Sequence, residues 1–312
     1  MKAFLYDRFG DASVLHPAEL PEPATADTEV LVAIEARSIN LIDIRVRSGM
    51  LGPLVSKRFP KTPGADFAGT VAAVGGSVKD LRVGDRVFGA ADPFKGGTFA
   101  ERIAVPATQV ARLPSALSPS DAAALPIAGL AALQSLRDLG GVKSDQAILI
   151  HGATGPVGLY SVQLAKLMGG HVTAVGSAGL DAAREFGADV LIDYRKGRSI
   201  SKGEPFDVIL NASGKMPYAI GKAFLKSTGR LIEPSPTIPV FIGSKLGNLF
   251  RGRKHMVLAT QVRRADLEYL AKLVGEAALK PVIAATFPFN DSLRAFALVE
   301  RGGVVGKVVV TQ

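Results

Sequence analysis

The sequence contains no cysteine. Without thiols no disulfide can form and no thiolate can bind zinc, so an oxidising compartment and a cysteine zinc site have no support. A membrane-length apolar run is also missing. The uncharged stretch Ala122 to Leu136 is interrupted by Pro126 and Gly129 and falls short of a span. At the N-terminus, Asp7 and Arg8 interrupt a strand-like Met1–Tyr6 segment before a signal-peptide core can build. The expectation is a cytoplasmic protein with no stable membrane association. Internal repeats and low-complexity tracts are absent too. The four histidines, His16, His151, His171 and His255, show no ligand spacing.

What is present fits two globular domains. The chain has 312 residues, 47% of them hydrophobic, with 34 glycines and 19 prolines to make turns. Its net charge of +9 would suit nucleic acid or a membrane surface if it were massed. The basic residues are instead spread along the chain. That favours a generally basic surface suited to an anionic cofactor, and no nucleic-acid partner is expected.

Up to about residue 115, short apolar runs such as Glu29–Ile34, Gly69–Val74 and Arg86–Gly89 alternate with proline and glycine breakers, which predicts a β-rich domain. The texture changes after Leu113-Pro114. Ser118-Pro119-Ser120-Asp121 opens a helix, and from Ala147 strands and helices alternate. Strands are expected at 147–150, 171–175, 190–192, 207–210, 230–232 and 257–259. Helices are expected at 157–168, 180–186 and 265–278, the first with Val157, Tyr160, Leu164 and Leu167 on one face. Alternation of this kind predicts a parallel, doubly wound Rossmann sheet. The final strand, Gly306–Val310, returns to the texture of the first domain. The boundaries read as 1–117 plus 283–312 for the β-rich domain and 118–282 for an inserted cofactor domain.

The sharpest motif is Ile148-Leu149-Ile150-His151-Gly152-Ala153-Thr154-Gly155-Pro156-Val157-Gly158. Gly155 lets the backbone approach a pyrophosphate, Gly158 lets the helix pack on the strand, and the helix N-terminus offers amides to the anion. Ala153, Thr154, Gly155, Pro156, Val157 and Gly158 are therefore candidate cofactor contacts. After the second strand comes Gly176-Ser177-Ala178-Gly179, with no carboxylate to repel a 2′-phosphate, so NADPH is expected over NADH, with Ser177 offering a hydroxyl. The segment from Ser177 to Gly187 has few charges, which sets that preference at the lower end. The turn Asn211-Ala212-Ser213 follows the fourth strand, at the sheet edge where such ligands sit, making Asn211 and Ser213 further candidates.

Together with Ser38–Asp43 and Arg47-Ser48-Gly49, Pro63–Gly69, Val83–Val87, Gly97–Glu101 and Leu125–Gly129, these features resemble the medium-chain dehydrogenase/reductase superfamily, in its zinc-free quinone oxidoreductase (zeta-crystallin-like) branch. The likeness runs from Met1 to the Gly306–Val309 strand. It implies a GroES-like β-barrel domain carrying an inserted Rossmann domain, and hydride transfer from NADPH to a quinone or α,β-unsaturated carbonyl. Asn40 and Ala65 fall where zinc alcohol dehydrogenases carry ligands, so no metal is expected. The resemblance marks Asn40 and Asp43 as catalytic candidates, with Asp43 otherwise a partner for Arg45 or Arg47. It also marks Leu125, Gly129, Tyr194, Arg195 and Lys307 as cofactor contacts. An Asn40→Ala change is expected to alter turnover with little effect on folding. A homodimer is expected, with the basic segment 245–254 as a flap, a dimer contact or a membrane-docking loop. Three positions depart from the family pattern: Met50, Ala131 and Val305. They keep open a second reading, a non-catalytic NADPH-binding redox sensor.

Overall fold

The computed structural model describes residues 1–196, 200, 205–234, 240, 244, 248 and 252–312. Most of the basic segment 245–254 lies outside the described residues. The chain divides into two compact units, Met1–Ile127 with Val262–Gln312, and Ala128–Gln261.

The first unit is β-rich. Its strands are β1 (Lys2–Leu5), β2 (His16–Glu19), β3 (Glu29–Ile39), β4 (Asp66–Val74), β5 (Arg86–Ala90), β6 (Arg102–Pro106) and β7 (Val110–Arg112), joined late in the chain by β14 (Ile283–Pro288) and β15 (Lys307–Thr311). One sheet runs β14-β15-β3-β4-β5-β7, with β6 also on β3, and β1 pairs with β2 separately. Strand β3 is long, eleven residues, because its first half pairs with β6 and its second half with β15. Its alternate residues Val30, Val32 and Ile34 pack with Phe67, Val71, Val87 and Val110 in one core. A second core gathers Phe4, Tyr6, Ile39, Phe99, Phe296, Val308 and Val310.

The second unit is a six-stranded sheet in the order β10-β9-β8-β11-β12-β13, where β8 is Ala147–His151, β9 His171–Gly176, β10 Val190–Asp193, β11 Phe206–Asn211, β12 Leu225–Glu233 and β13 Lys254–Val257. Every pairing in it is parallel. The order reverses direction between β8 and β11, the switch point at which doubly wound sheets bind ligands. Leu149, Val175, Ile209 and Leu231 fill the core on one side of the sheet.

Three expectations are corrected. The boundary falls at 127/128 and 261/262, so the helices Pro119–Ala123 and Arg264–Gly275 belong with the β-rich unit. The first packs on β3, β4 and β5, and the second on β7. A count of alternating elements could not register those contacts. The last parallel strand is 254–257 rather than 257–259. In the helix Pro156–Leu167, residues 158–165 are buried all round, whereas Leu167 is 49% exposed.

Candidate functional site

In the second unit the candidates line the carboxyl edge of the sheet. Register places Asp193 beside Gly176, His151 beside Val175 and Asn211 beside His151, so the turns after four neighbouring strands form a row. The amides of Gly152 and Ala153 both donate to Val175 O, at 2.9 and 3.0 Å, which folds the turn back over β9. Gly152 has φ +85°, and a Cβ there would meet the Ser213 backbone nitrogen at 2.7 Å. Gly158 allows the helix to rest on the turn: a Cβ would lie 2.1 Å from Gly152 O. At Gly155 the nearest heavy atom to a Cβ would be Gly152 O at 3.7 Å, so that face of the turn is open. Pro156 begins the helix and has no N–H to lose, while the amides of the first turn have no earlier helical carbonyl to meet.

The Asn211–Ser213 turn is tied to His151. Ser213 Oγ lies 2.6 Å from His151 Nδ1 and donates to Asn211 Oδ1 at 3.1 Å. Asn211 is buried, and its Nδ2 donates to Met216 O. Burial holds the His151 imidazole below its usual range, against the Asn211 hydrogen bond that raises it. Ser177 is half-buried and Tyr194 is 57% exposed, side by side at the ends of β9 and β10. Arg195 has a partner of its own: its Nε is 3.5 Å from Asp193 Oδ1, which also accepts the Arg195 amide.

In the first unit the candidates converge on a residue the sequence reading did not single out. Asn40 precedes the helix Leu41–Arg47 and Asp43 sits in its first turn, where Asp43 Oδ2 accepts the Asn40 amide at 2.8 Å. Asn40 Nδ2 donates to Asp66 Oδ2 at 2.8 Å, and Asn40 Oδ1 accepts from Lys307 Nζ at 2.7 Å. Lys307 donates as well to Ile39 O and Asp66 Oδ2. Three acceptors thus surround the three ammonium protons. Lys307, expected as a cofactor contact, is 1% exposed and faces Asn40 and Asp66. Asp43 is 2% exposed. Burial pushes its carboxyl up to about 7, helped by the charge of Asp66 and opposed by the Asn40 amide and Lys307. The side-chain partner of the buried Arg47 is Glu300, and its guanidinium lies over the Phe296 ring at 5.0 Å.

Leu125 and Gly129, either side of the start of the helix Pro126–Gln134, are both buried, as is Ala131. Met50 is 73% exposed. Asp66 and Ser38 are the functional-site neighbours that sequence reasoning missed. Asp66 sat in plain view in the Pro63–Gly69 signature, but only contact reveals its partners.

The profile of the alcohol dehydrogenase GroES-like domain matches residues 26–115, and that of the zinc-binding dehydrogenase family matches residues 186–310. A chloroplastic quinone oxidoreductase of Triphysaria versicolor is 34% identical, across 99% of this chain and 98% of that protein. The chain belongs to the medium-chain dehydrogenase/reductase superfamily, in its zinc-free quinone oxidoreductase branch. This makes it an oxidoreductase of the quinone and enone reductase kind. Among solved structures, the quinone oxidoreductase of Coxiella burnetii superimposes with a TM-score of 0.90 at 31% identity, covering 100% of this chain and 99% of that one. Escherichia coli quinone oxidoreductase complexed with NADPH gives 0.87 at 26% identity, with both chains covered fully. Among the described residues no group of three or more histidine, cysteine, aspartate or glutamate side chains could hold a metal ion, so the zinc in the second profile's name has no ligand set there. No helix of the described residues is long and apolar enough to cross a membrane.

Proposed function

We propose that the protein is an NADPH-dependent reductase that transfers hydride to a quinone or an α,β-unsaturated carbonyl. The observation that carries this reading is the open turn at Gly155, set before a twelve-residue helix at the switch point of a parallel sheet. Such a turn suits a dinucleotide pyrophosphate, because free first-turn amides and the positive end of the helix dipole both meet the anion. Ala153, Thr154, Gly155, Pro156, Val157 and Gly158 would hold the pyrophosphate. Ser177 and Tyr194, at the ends of β9 and β10, are assigned to the 2′-phosphate, and the glycine at 176 leaves no carboxylate on that strand end. Asp193 does bring one on the next strand, paired to Arg195, so the preference over NADH is modest.

The nicotinamide supplies the hydride when bound. The residues of this chain bind, orient and exclude water. Asn211 and Ser213 stand at the same edge as the glycine turn and, with Leu125 and Gly129, are assigned to the nicotinamide. Asn40 stands beside Asp43 and Asp66, and we assign its carboxamide to the substrate carbonyl or the nicotinamide ribose. Quinones and enones are already electrophilic, so their reduction needs no metal to polarise the acceptor. Relatives support the acceptor class: one at 33% identity, from Solanum lycopersicum, is named 2-methylene-furan-3-one reductase. A homodimer and a cytoplasmic location complete the reading, and light scattering and cell fractionation check them.

The deciding experiment is steady-state oxidation of NADPH and NADH over a panel of quinones and enones, with metal analysis of the same preparation. Turnover with NADPH preferred and no stoichiometric metal is expected. NADPH binding without turnover of any acceptor would favour a redox sensor instead, and a zinc requirement would end the reading.

A further inference from the structure

Both oxygens of the fully buried Asp66 carboxylate are occupied, and they hold different elements. Oδ2 accepts from Ser38 Oγ at 2.9 Å, Asn40 Nδ2 at 2.8 Å and Lys307 Nζ at 3.0 Å. Oδ1 accepts from the Ile127 amide at 2.9 Å. A buried ion pair is stable only when its remaining lone pairs are satisfied, and here they are. Neutralising Lys307 would require Oδ2 alone. Oδ1 does something separate: it caps an amide in the first turn of the helix Pro126–Gln134, two residues before Gly129.

We propose that Asp66 is a positioning residue for the reduction, clamping Asn40 and the helix start at Ile127 at a fixed separation. This rests on the reductase reading above, which assigns Asn40 to the substrate or nicotinamide ribose and Leu125, two residues before Ile127, to the cofactor. Lys307 belongs to the same device. Its contacts with Ile39 O and Asn40 Oδ1 hold the carboxamide in one orientation. A plain structural ion pair would leave the two segments independent of each other, whereas a clamp couples them.

The test uses the full chain with Asp66→Asn, which keeps the shape of the side chain but cannot accept at both ends, and with Ser38→Ala as a mild second variant. Amide hydrogen exchange is read first, without any acceptor. Exchange should rise by about tenfold together in residues 40–47 and 127–134, one lost hydrogen bond to a charged group being worth that much, while β4 and β5 stay protected. Ser38→Ala should loosen the same two segments to a smaller extent, and it decides the matter if Asp66→Asn does not fold. For a quinone that the wild type reduces, kcat should fall about tenfold to a hundredfold, as a displaced reacting group predicts. NADPH affinity, which the glycine turn sets, should hold. Loosening of one segment alone, or an unchanged kcat with both loosened, would overturn the clamp. If the wild type reduces no quinone or enone, the functional reading fails by itself, and the exchange pattern still decides whether Asp66 couples the two segments.

Discussion

Lys307 donates to Asn40 at 2.7 Å across 267 positions of sequence. The bond joins the last strand of the chain to the residue that opens its first helix, and both partners are buried. An asparagine judged from sequence as a substrate contact is therefore also part of the interior.

Asn40→Ala should consequently cost stability as well as turnover, against the expectation from sequence. Deleting the carboxamide leaves Lys307 and Asp66 each short of a buried partner, worth about 1–3 kcal/mol. Urea unfolding of the purified variant measures it. A variant as stable as the wild type would mean that water replaces the carboxamide freely.

The two glycines of the cofactor turn should fail in different ways. Gly158→Ala puts a methyl into backbone, and a melting experiment should show a loss of about 1–3 kcal/mol from overpacking. Gly155→Ala has room, and φ of −77° suits alanine. It should melt with the wild type while binding NADPH more weakly by calorimetry. Unaltered affinity in Gly155→Ala would move the pyrophosphate elsewhere.

Gly176→Asp tests the phosphate pocket. The new Cβ would lie 3.0 Å from Thr154 Cγ2, tight but against a side-chain methyl, so Thr154→Ser is made alongside. A carboxylate there repels the 2′-phosphate, and the ratio of kcat/KM for NADPH to that for NADH should drop about tenfold to a hundredfold, one charge-assisted bond being worth that range. A ratio that does not move would place the phosphate away from β9.

Asp43 should make the protein less stable as pH rises through neutrality. Its carboxyl is pushed up to about 7 in the fold by burial, chiefly, with Asp66 adding to the shift and the Asn40 amide and Lys307 opposing it. In the unfolded chain it titrates near about 3.9. Between those values the folded state holds a proton that the unfolded state has released, so stability falls with increasing pH across that window. Arg47 and Tyr6 also sense this charge. Denaturant titrations at about pH 5 and about pH 8 should show the loss in the wild type and a smaller one in Asp43→Asn. Equal losses in both proteins would assign the slope to other groups.

The glycine turn and the parallel sense of the strands were legible because both are written in local spacing: Gly158 is demanded by a close approach of helix and turn that no larger residue allows, and Gly155 leaves one face of the turn open. Other features depend on contacts that local pattern does not encode. The helix Arg264–Gly275 looks like one more Rossmann helix, yet Arg264 donates from Nε to Val110 O in the β-rich unit. Strand β13 was read too late because Lys254 and His255 are polar. His255 is nonetheless buried, stacked on Tyr218 with ring centroids 4.7 Å apart and 3.3 Å from Glu233. Asp66 escaped notice for a related reason. A lone carboxylate in a strand signals nothing until Ser38, Asn40, Ile127 and Lys307 are seen to surround it.

The pairing of β15 with β3 also sets an order of events during synthesis. Residues 36–39 of β3 hydrogen-bond across to 308–311, so that half of the strand keeps an open edge until the ribosome has delivered nearly the entire chain. The parallel sheet, complete by Val257, has all its strands much sooner. Translation therefore finishes the inserted unit before the unit that encloses it in sequence, and the waiting edge is open to mispairing in the meantime.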